Sequence, residues 1–117
     1  MKTVEREILL SFWKAHILHH AGEGPVYGQW IIEELRRHGY AISPGTLYPL
    51  LNRMEARGWL RVEAKRNAGP RERRNYRLTT EGRGVLELIR SQVRELYEEL
   101  VVLPDGPTDD RAQRSKT

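Results

Sequence analysis

The chain has 117 residues, of which 38% are hydrophobic and 31% charged, a composition typical of one soluble globular domain with a modest core. It contains no run of about 18 apolar residues and no charged start followed by an apolar stretch and a cleavage site, so we expect neither a membrane span nor a signal peptide. The absence of cysteine excludes disulfides, thiolate metal sites and cysteine nucleophiles, and it is typical of a cytoplasmic protein.

The net charge of +4 is distributed unevenly. Residues 61–77 contain seven basic residues against two acidic ones, a local charge of +5, so the other 100 residues sum to −1. Such an element suits DNA, because Lys and Arg side chains beside phosphates release condensed counterions. The alternative is that this basic run is only a solvated surface.

Two amphipathic helices are predicted at the start of the chain. Helical spacing over residues 4–20 predicts one buried face, which consists of Ile8, Leu9, Phe12, Trp13, His16 and Ile17. The Gly- and Pro-containing segment 22–25 ends this helix. A second helix is expected from about Val26 to Gly39, which can adopt the left-handed cap.

A third helix is predicted over residues 43–58. Ser43 is a suitable N-cap, Pro44 suits the first helical position, and Gly58 closes the far end. The core face of this helix is predicted to be Leu47, Leu50, Leu51 and Met54. Pro49 removes one internal hydrogen bond, so either the first turn is distorted or the regular helix begins later.

The hydrophobic period then changes from that of a helix to that of a strand. Leu60, Val62 and Ala64 alternate with charged residues, residues 67–70 form a turn signal, and alternation resumes around Tyr76. The segment is therefore predicted to be a hairpin, and its tip and flanks hold most of the arginines.

A long helix is predicted over residues 79–103, with Thr79 or Thr80 as its cap. Apolar residues recur along it at heptad spacing, namely Leu86, Ile89, Val93, Leu96, Leu100 and Leu103. We expect this stripe to pair two copies of the chain. The alternative is packing against the first helix of the same chain, and both contacts can occur together. Residues 104–117 are polar and are expected to be a disordered tail.

This order of elements predicts a mainly α fold with a small β-hairpin: a winged helix-turn-helix over residues 1–78, followed by a dimerisation helix. In that fold the third helix enters the DNA major groove and the wing follows the backbone. Thr46, Tyr48 and Asn52 carry hydrogen-bonding groups that can reach base edges or phosphates, although they could also form an ordinary polar helix face. The wing arginines suit phosphates or a minor groove.

Several segments resemble the PadR family of bacterial transcriptional regulators: Tyr27-Gly28, the string Ile-Ser-Pro-Gly-Thr-Leu-Tyr-Pro-Leu-Leu at 42–51, Glu55 with Gly58-Trp59-Leu60, and Arg-Asn-Tyr-Arg-Leu-Thr-Thr-Glu-Gly at 74–82. The likeness covers about residues 4–103, and the single last helix resembles the compact subgroup. It implies a homodimer that represses at a roughly palindromic operator and is released by a small ligand or stress signal. The DNA contacts that it implies are Tyr27, Ser43, Thr46, Tyr48, Asn52, Arg53, Lys65, Arg66, Arg71, Arg73 and Arg74.

The resemblance also implies where an effector binds. Effectors of this family tend to bind where the first and last helices meet around the dimer axis. Trp13, His16 and Tyr97 are therefore candidates for an effector pocket, although Trp13 equally suits the core.

The histidines of the first helix suggest an alternative function. His16 and His20 are four residues apart, a spacing that can hold a transition-metal ion, and His19 lies between them. No carboxylate or thiol stands at a matching spacing nearby, Glu23 being the nearest candidate, so we assign no metal site and no cofactor. A winged-helix metal sensor or protein-interaction module that uses these histidines remains the alternative. Enzyme activity is not expected, because no phosphate-binding loop or nucleophile–base motif is present.

Overall fold

The structure is a computed structural model that describes residues 2–63 and 74–102, with side chains from residue 4 onwards. The elements, in chain order, are α1 (Lys2–Glu23), β1 (Val26–Tyr27), α2 (Gly28–Arg37), α3 (Pro44–Ala56), β2 (Leu60–Glu63), β3 (Asn75–Leu78), α4 (Thr80–Tyr97) and a π-helical segment (Glu98–Val102). They form two compact units, Met1–Glu87 and Leu88–Thr117. No helix in the part of the chain that the structure describes is long and apolar enough to cross a membrane.

The mainly helical, winged helix-turn-helix fold is confirmed, and the sheet adds a strand to the predicted hairpin. β2 and β3 pair antiparallel, with Leu60 opposite Leu78. The additional strand, β1, pairs antiparallel with β3, so that the sheet order is β1-β3-β2. The prediction that the second helix starts near Val26 is wrong, because residues 26 and 27 pair with β3 and the helix begins at Gly28. A two-residue strand is too short to show alternation in the sequence.

The ends of α3 lie where the sequence places them. Ser43 occupies the N-cap position with extended backbone (φ −90°, ψ 157°), Pro44 is the first helical residue, and Gly58 adopts a φ of +83° after the last turn. The Ser43 side chain makes no capping hydrogen bond to the helix backbone. The helix is continuous through Pro49, so the alternative of a later start is wrong.

One hydrophobic core holds the first unit together. Its buried side chains are Trp13, Ile17, Leu18, Ala21, Val26, Ile31, Ile32, Leu35, Ile42, Leu47, Leu50, Leu51, Met54, Leu60, Tyr76 and Leu86. The predicted core face of α3 is therefore confirmed in full. The predicted face of α1 is partly wrong, because Ile8 is 53% and Phe12 47% exposed, whereas Leu18 is fully buried. The first helix has more apolar side chains than α2 and β3 cover. The sequence does not show which of these side chains remain exposed.

The start of α4 is fixed by Thr79, one of the two predicted caps. Its Oγ1 accepts a hydrogen bond from the Gly82 backbone N–H (2.8 Å) and donates to the Gly58 carbonyl (2.6 Å). Leu86, which heptad spacing assigns to the dimer seam, is only 4% exposed and lies beside Gly22 of α1. That assignment is corrected: Leu86 belongs to the core of its own chain. Leu103 and the expected tail lie outside the described residues.

Candidate nucleic-acid interface

The outward face of α3 carries the side chains predicted to contact DNA. Tyr48 is 42% exposed, and Ser43, Asn52 and Arg53 are exposed as well. Tyr48 and Asn52 are four residues apart and so share a face of the helix. Because the opposite side of α3 is fully buried, the core holds this polar face in a fixed orientation.

A cluster of polar groups lies at the first turn of α3. Thr46 Oγ1 accepts hydrogen bonds from Arg6 Nη2 (3.2 Å) and from Ser43 Oγ (3.3 Å). A hydroxyl that accepts two hydrogen bonds keeps its own hydrogen for a further acceptor, such as a base edge or a phosphate. The guanidinium also adds positive charge beside the positive end of the helix dipole. No local sequence pattern links Arg6 to Thr46, because the two residues are 40 positions apart in the chain.

Tyr48 packs directly on Gly28, the first residue of α2. A Cβ atom at position 28 would lie 2.5 Å from the Cε1 and Oη atoms of Tyr48, so only glycine leaves room for the ring. Tyr27, a half-buried residue of β1, lies opposite Asn75 of β3. The short strand β1 therefore places Tyr27 between the start of α2 and the base of the wing.

The described part of the wing carries three arginines. Arg61 is exposed and lies opposite Arg77 in the ladder. Arg77 Nε donates to Glu63 Oε2 at 3.0 Å, so part of its charge is compensated within the hairpin. Arg74, immediately before β3, is exposed. Lys65, Arg66, Arg71 and Arg73, together with the predicted turn, lie outside the described residues.

Of the residues suggested for an effector pocket, Trp13 and His16 both lie beside Tyr40, with ring centroids 6.3 Å and 5.5 Å from the Tyr40 ring. Trp13 is 6% exposed, and its Nε1 has no hydrogen-bond partner among the described residues. It lines a groove of about 440 Å³ whose other walls include Arg6, Tyr40, Ile42 and Thr46. His16 does not line this groove, and Tyr97 belongs to the second unit, where its side chain is 54% exposed.

The second unit presents the apolar stripe predicted for dimerisation. Val93, Leu96 and Leu100 are each at least half exposed, and Ile89 is partly buried. Leu88, Ile89, Val93 and Leu96 line a shallow groove of about 480 Å³. A contiguous exposed apolar surface of this kind marks a contact site for another molecule.

The predicted histidine pair of α1 gains two partners from α2. Glu34 and His38 lie beside His16 and His20, and His38 Nε2 is 3.2 Å from Glu34 Oε2. Burial, followed by the neighbouring His38, His20 and His19 side chains, lowers the pKa of His16. Its neutral form is therefore favoured. The spacing of the histidines on α1 gives no sign of Glu34 and His38, because a different helix supplies them.

Comparison with known proteins decides the family. The model of the transcriptional regulator PadR-like family matches residues 17–88. The chain belongs to the PadR-like family. The resemblance found in the sequence is therefore confirmed, and this PadR-like protein is a winged-helix, DNA-binding transcriptional regulator. The proteins of this family and the similar solved structures are transcriptional regulators rather than enzymes.

Individual relatives agree with the family. Transcriptional regulator Rv3488 of Mycobacterium tuberculosis is 47% identical over 96 residues, which cover 82% of this chain and 89% of the relative. The crystal structure of a PadR family transcriptional regulator from Eggerthella lenta is 30% identical, with a TM-score of 0.70, and the match covers 91% of this chain and 96% of that one. A PadR-like transcriptional regulator from Bacillus cereus is 27% identical, with a TM-score of 0.74 and coverages of 86% and 99%.

Proposed function

We propose that this PadR-like protein is a homodimeric, cytoplasmic repressor that binds a roughly palindromic operator and is released by a small ligand or stress signal. The observation that carries the proposal is the exposed polar face of α3, which the buried side of the helix holds in place. The segment that follows α3, residues 61–77, carries a sequence charge of +5. If the polar face of α3 were only a solvated surface, a basic segment directly after the helix would have no role.

The DNA contacts divide into two classes. Thr46, Tyr48 and Asn52 lie on α3 and read base edges in the major groove or bind the adjoining phosphates, because they carry directional donors and acceptors. Ser43, Tyr27 and Arg53 lie around the same helix and position it on the backbone. The basic side chains of the wing, Lys65, Arg66, Arg71, Arg73 and Arg74, bind phosphates or enter a minor groove and so supply affinity rather than sequence preference.

Selection of bound sequences from a random DNA pool, with the full chain, tests whether the protein recognises a sequence. We expect an enriched palindrome whose half-sites are separated by about one helical turn or a multiple of it. Recovery of unenriched sequences would contradict specific recognition.

The salt dependence of binding to the selected site tests the role of the wing. If a dimer neutralises about six phosphates, log affinity falls with log salt at a slope near −5. Combined replacement of Arg71, Arg73 and Arg74 by Ala should flatten this slope. The control is Arg36→Ala with Arg37→Ala, which removes exposed positive charge at the end of α2, outside the proposed interface. An unchanged slope in the triple variant would overturn the wing assignment.

The dimer is proposed from the exposed stripe of the second unit, namely Ile89, Val93, Leu96 and Leu100. Burial of these side chains against a second copy removes apolar surface from water, and Val4, Ile8 and Phe12, which are exposed along one side of α1, offer further apolar surface.

Leu96→Glu should shift the protein towards monomer in sedimentation equilibrium. Ser91→Glu places the same charge elsewhere on α4 and should leave the dimer intact; equal behaviour of the two variants would contradict the seam.

Repression and release need a cellular measurement. A reporter gene placed downstream of the selected operator should be expressed less when the protein is present, and higher expression would identify an activator instead. For release, we propose the groove lined by Trp13, Tyr40 and Ile42 as the ligand site, because its aromatic and apolar walls lie beside the polar side chains of Arg6 and Thr46.

A further inference from the structure

Two helices each contribute a pair of side chains to one cluster. His16 and His20 are four residues apart on α1, and Glu34 and His38 are four residues apart on α2, so each pair shares one face of its helix. One ligand atom from each of the three histidines lies within 4.8 Å of the others. Glu34 Oε2 lies 3.2 Å from His38 Nε2 and 3.5 Å from His20 Nε2. The three histidines therefore cluster between the helices, and the Glu34 carboxylate lies beside His20 and His38.

Hydrogen bonds within the cluster satisfy only one of the two ring nitrogens of His20. Its Nδ1 lies 3.2 Å from Glu23 Oε1 and donates to that carboxylate when the proton is on Nδ1. Nε2 then carries a lone pair, is inaccessible to solvent, and has no hydrogen-bond partner among the described residues. A lone pair that faces the Glu34 carboxylate places two acceptors opposite each other, which is unfavourable unless a proton or a metal cation lies between them.

We propose that His16, His20, Glu34 and His38 bind a divalent transition-metal ion, with Zn²⁺ as the representative. Imidazole and carboxylate donors suit ions of this borderline class, and the chain has no thiolate to select softer ones. Glu23 orients His20 through the nitrogen that does not bind the metal, as carboxylates do for metal-ligating histidines.

The spacing of the donors is compatible with such an ion. Metal–ligand bonds of about 2.1 Å in a tetrahedral arrangement place donor atoms about 3.4 Å apart. The histidine donors lie within 4.8 Å of one another, so side-chain rotations that move them by about an ångström close the site without a shift of the backbone. A bound ion then joins α1 to α2, the helix that precedes the DNA-reading helix α3.

A second set of donors, His19, His20 and Glu23, is the competing site, and it is weaker on three counts. It has three donors instead of four, all of them lie on α1, and two are well exposed, His19 by 46% and Glu23 by 62%. In the proposed site, His20 and Glu34 are each only 14% exposed. Metal ions bind more tightly to donors that two packed elements hold in place than to donors that must be ordered on binding.

The test is zinc titration of the full chain, without a histidine tag, by isothermal calorimetry, with Co²⁺ absorption spectra to report the coordination. The matched variants are His38→Gln, in the proposed site, and His19→Gln, in the competing one, because their side chains are 45% and 46% exposed. Glu34→Gln provides a second variant of the proposed site, and circular dichroism checks that each variant folds. The zinc-induced rise in Tm gives an independent readout.

We expect His38→Gln and Glu34→Gln to raise the Kd for zinc by at least about tenfold, and His19→Gln to change it by less than about threefold. Zinc should raise the Tm of the wild type and of His19→Gln more than that of His38→Gln. An absence of saturable zinc and cobalt binding in the wild type would overturn the site, as would equal Kd values in the wild type and His38→Gln. A loss confined to His19→Gln would place the metal on α1 alone. None of these outcomes depends on DNA binding, so the metal site and the repressor function fail separately.

Discussion

Gly28 is the position where a single methyl group should disturb the DNA-binding face most selectively. A Cβ atom there would lie 2.5 Å from Tyr48 Cε1 and Oη, whereas non-bonded heavy atoms pack at about 3.5 Å. In Gly28→Ala the Tyr48 ring must therefore move outwards by about 1 Å. The backbone itself accepts alanine, because Gly28 begins α2 without a positive φ.

The Gly28→Ala substitution should weaken DNA binding more than it changes the stability of the fold. Tyr48 is 42% exposed, so its ring can rotate towards solvent, and alanine favours a helix over glycine by up to about 1 kcal/mol. We expect the free energy of unfolding to change by less than about 1 kcal/mol in either direction. A displaced base contact costs about 1–3 kcal/mol, so operator affinity should fall about 5- to 150-fold for each half-site.

Fluorescence anisotropy with the selected operator measures the affinity, and urea unfolding measures the stability of the same samples. The control is Gly24→Ala, because a Cβ at Gly24 meets nothing within 4 Å. A double-mutant cycle isolates the mechanism: in a Tyr48→Ala background, Gly28→Ala should have no further effect on affinity. Unchanged binding by Gly28→Ala alone, or an equal loss in the Tyr48→Ala background, would refute the reasoning.

Four further substitutions test the fold and the interface. Gly82→Ala should destabilise the protein by about 1–3 kcal/mol in urea unfolding, because its Cβ would overlap the Trp59 carbonyl. In Gly84→Ala the new Cβ meets nothing within 4 Å, so this variant should instead be more stable by up to about 1 kcal/mol. A Gly84→Ala variant that is less stable than Gly82→Ala would contradict the packing. Thr46→Ala should reduce the preference for the operator over a mutated site by about 1–3 kcal/mol with the salt slope unchanged, and a flatter slope would make Thr46 a phosphate contact. Leu50→Ala empties a fully buried position in α3 and should cost about 2–5 kcal/mol of unfolding free energy by thermal or urea unfolding, whereas a loss below about 1 kcal/mol would contradict its place in the core.

The sequence by itself determined the elements whose signals are local. Ser43-Pro44 and Gly58 mark the ends of α3, because a cap, a first-turn proline and a left-handed glycine act within one helical turn. The side of α3 that faces the core follows from the 3.6-residue period. The sequence also limits the cap of α4 to Thr79 or Thr80, and the structure shows that it is Thr79. The motif string at 42–51 also identified the family from neighbouring residues alone.

Only the tertiary structure decided which distant residues meet and which apolar surfaces are covered. In the structure, Leu86 lies in the core instead of the predicted seam, and Ile8 and Phe12 are exposed on α1. Arg6 forms a hydrogen bond with Thr46. It also brought α2 to the histidines of α1 and so completed a cluster that α1 alone does not contain. The physical reason is the same in each case: helical periodicity shows which side chains share a face, but the neighbouring element that covers that face is set by packing between segments far apart in the chain.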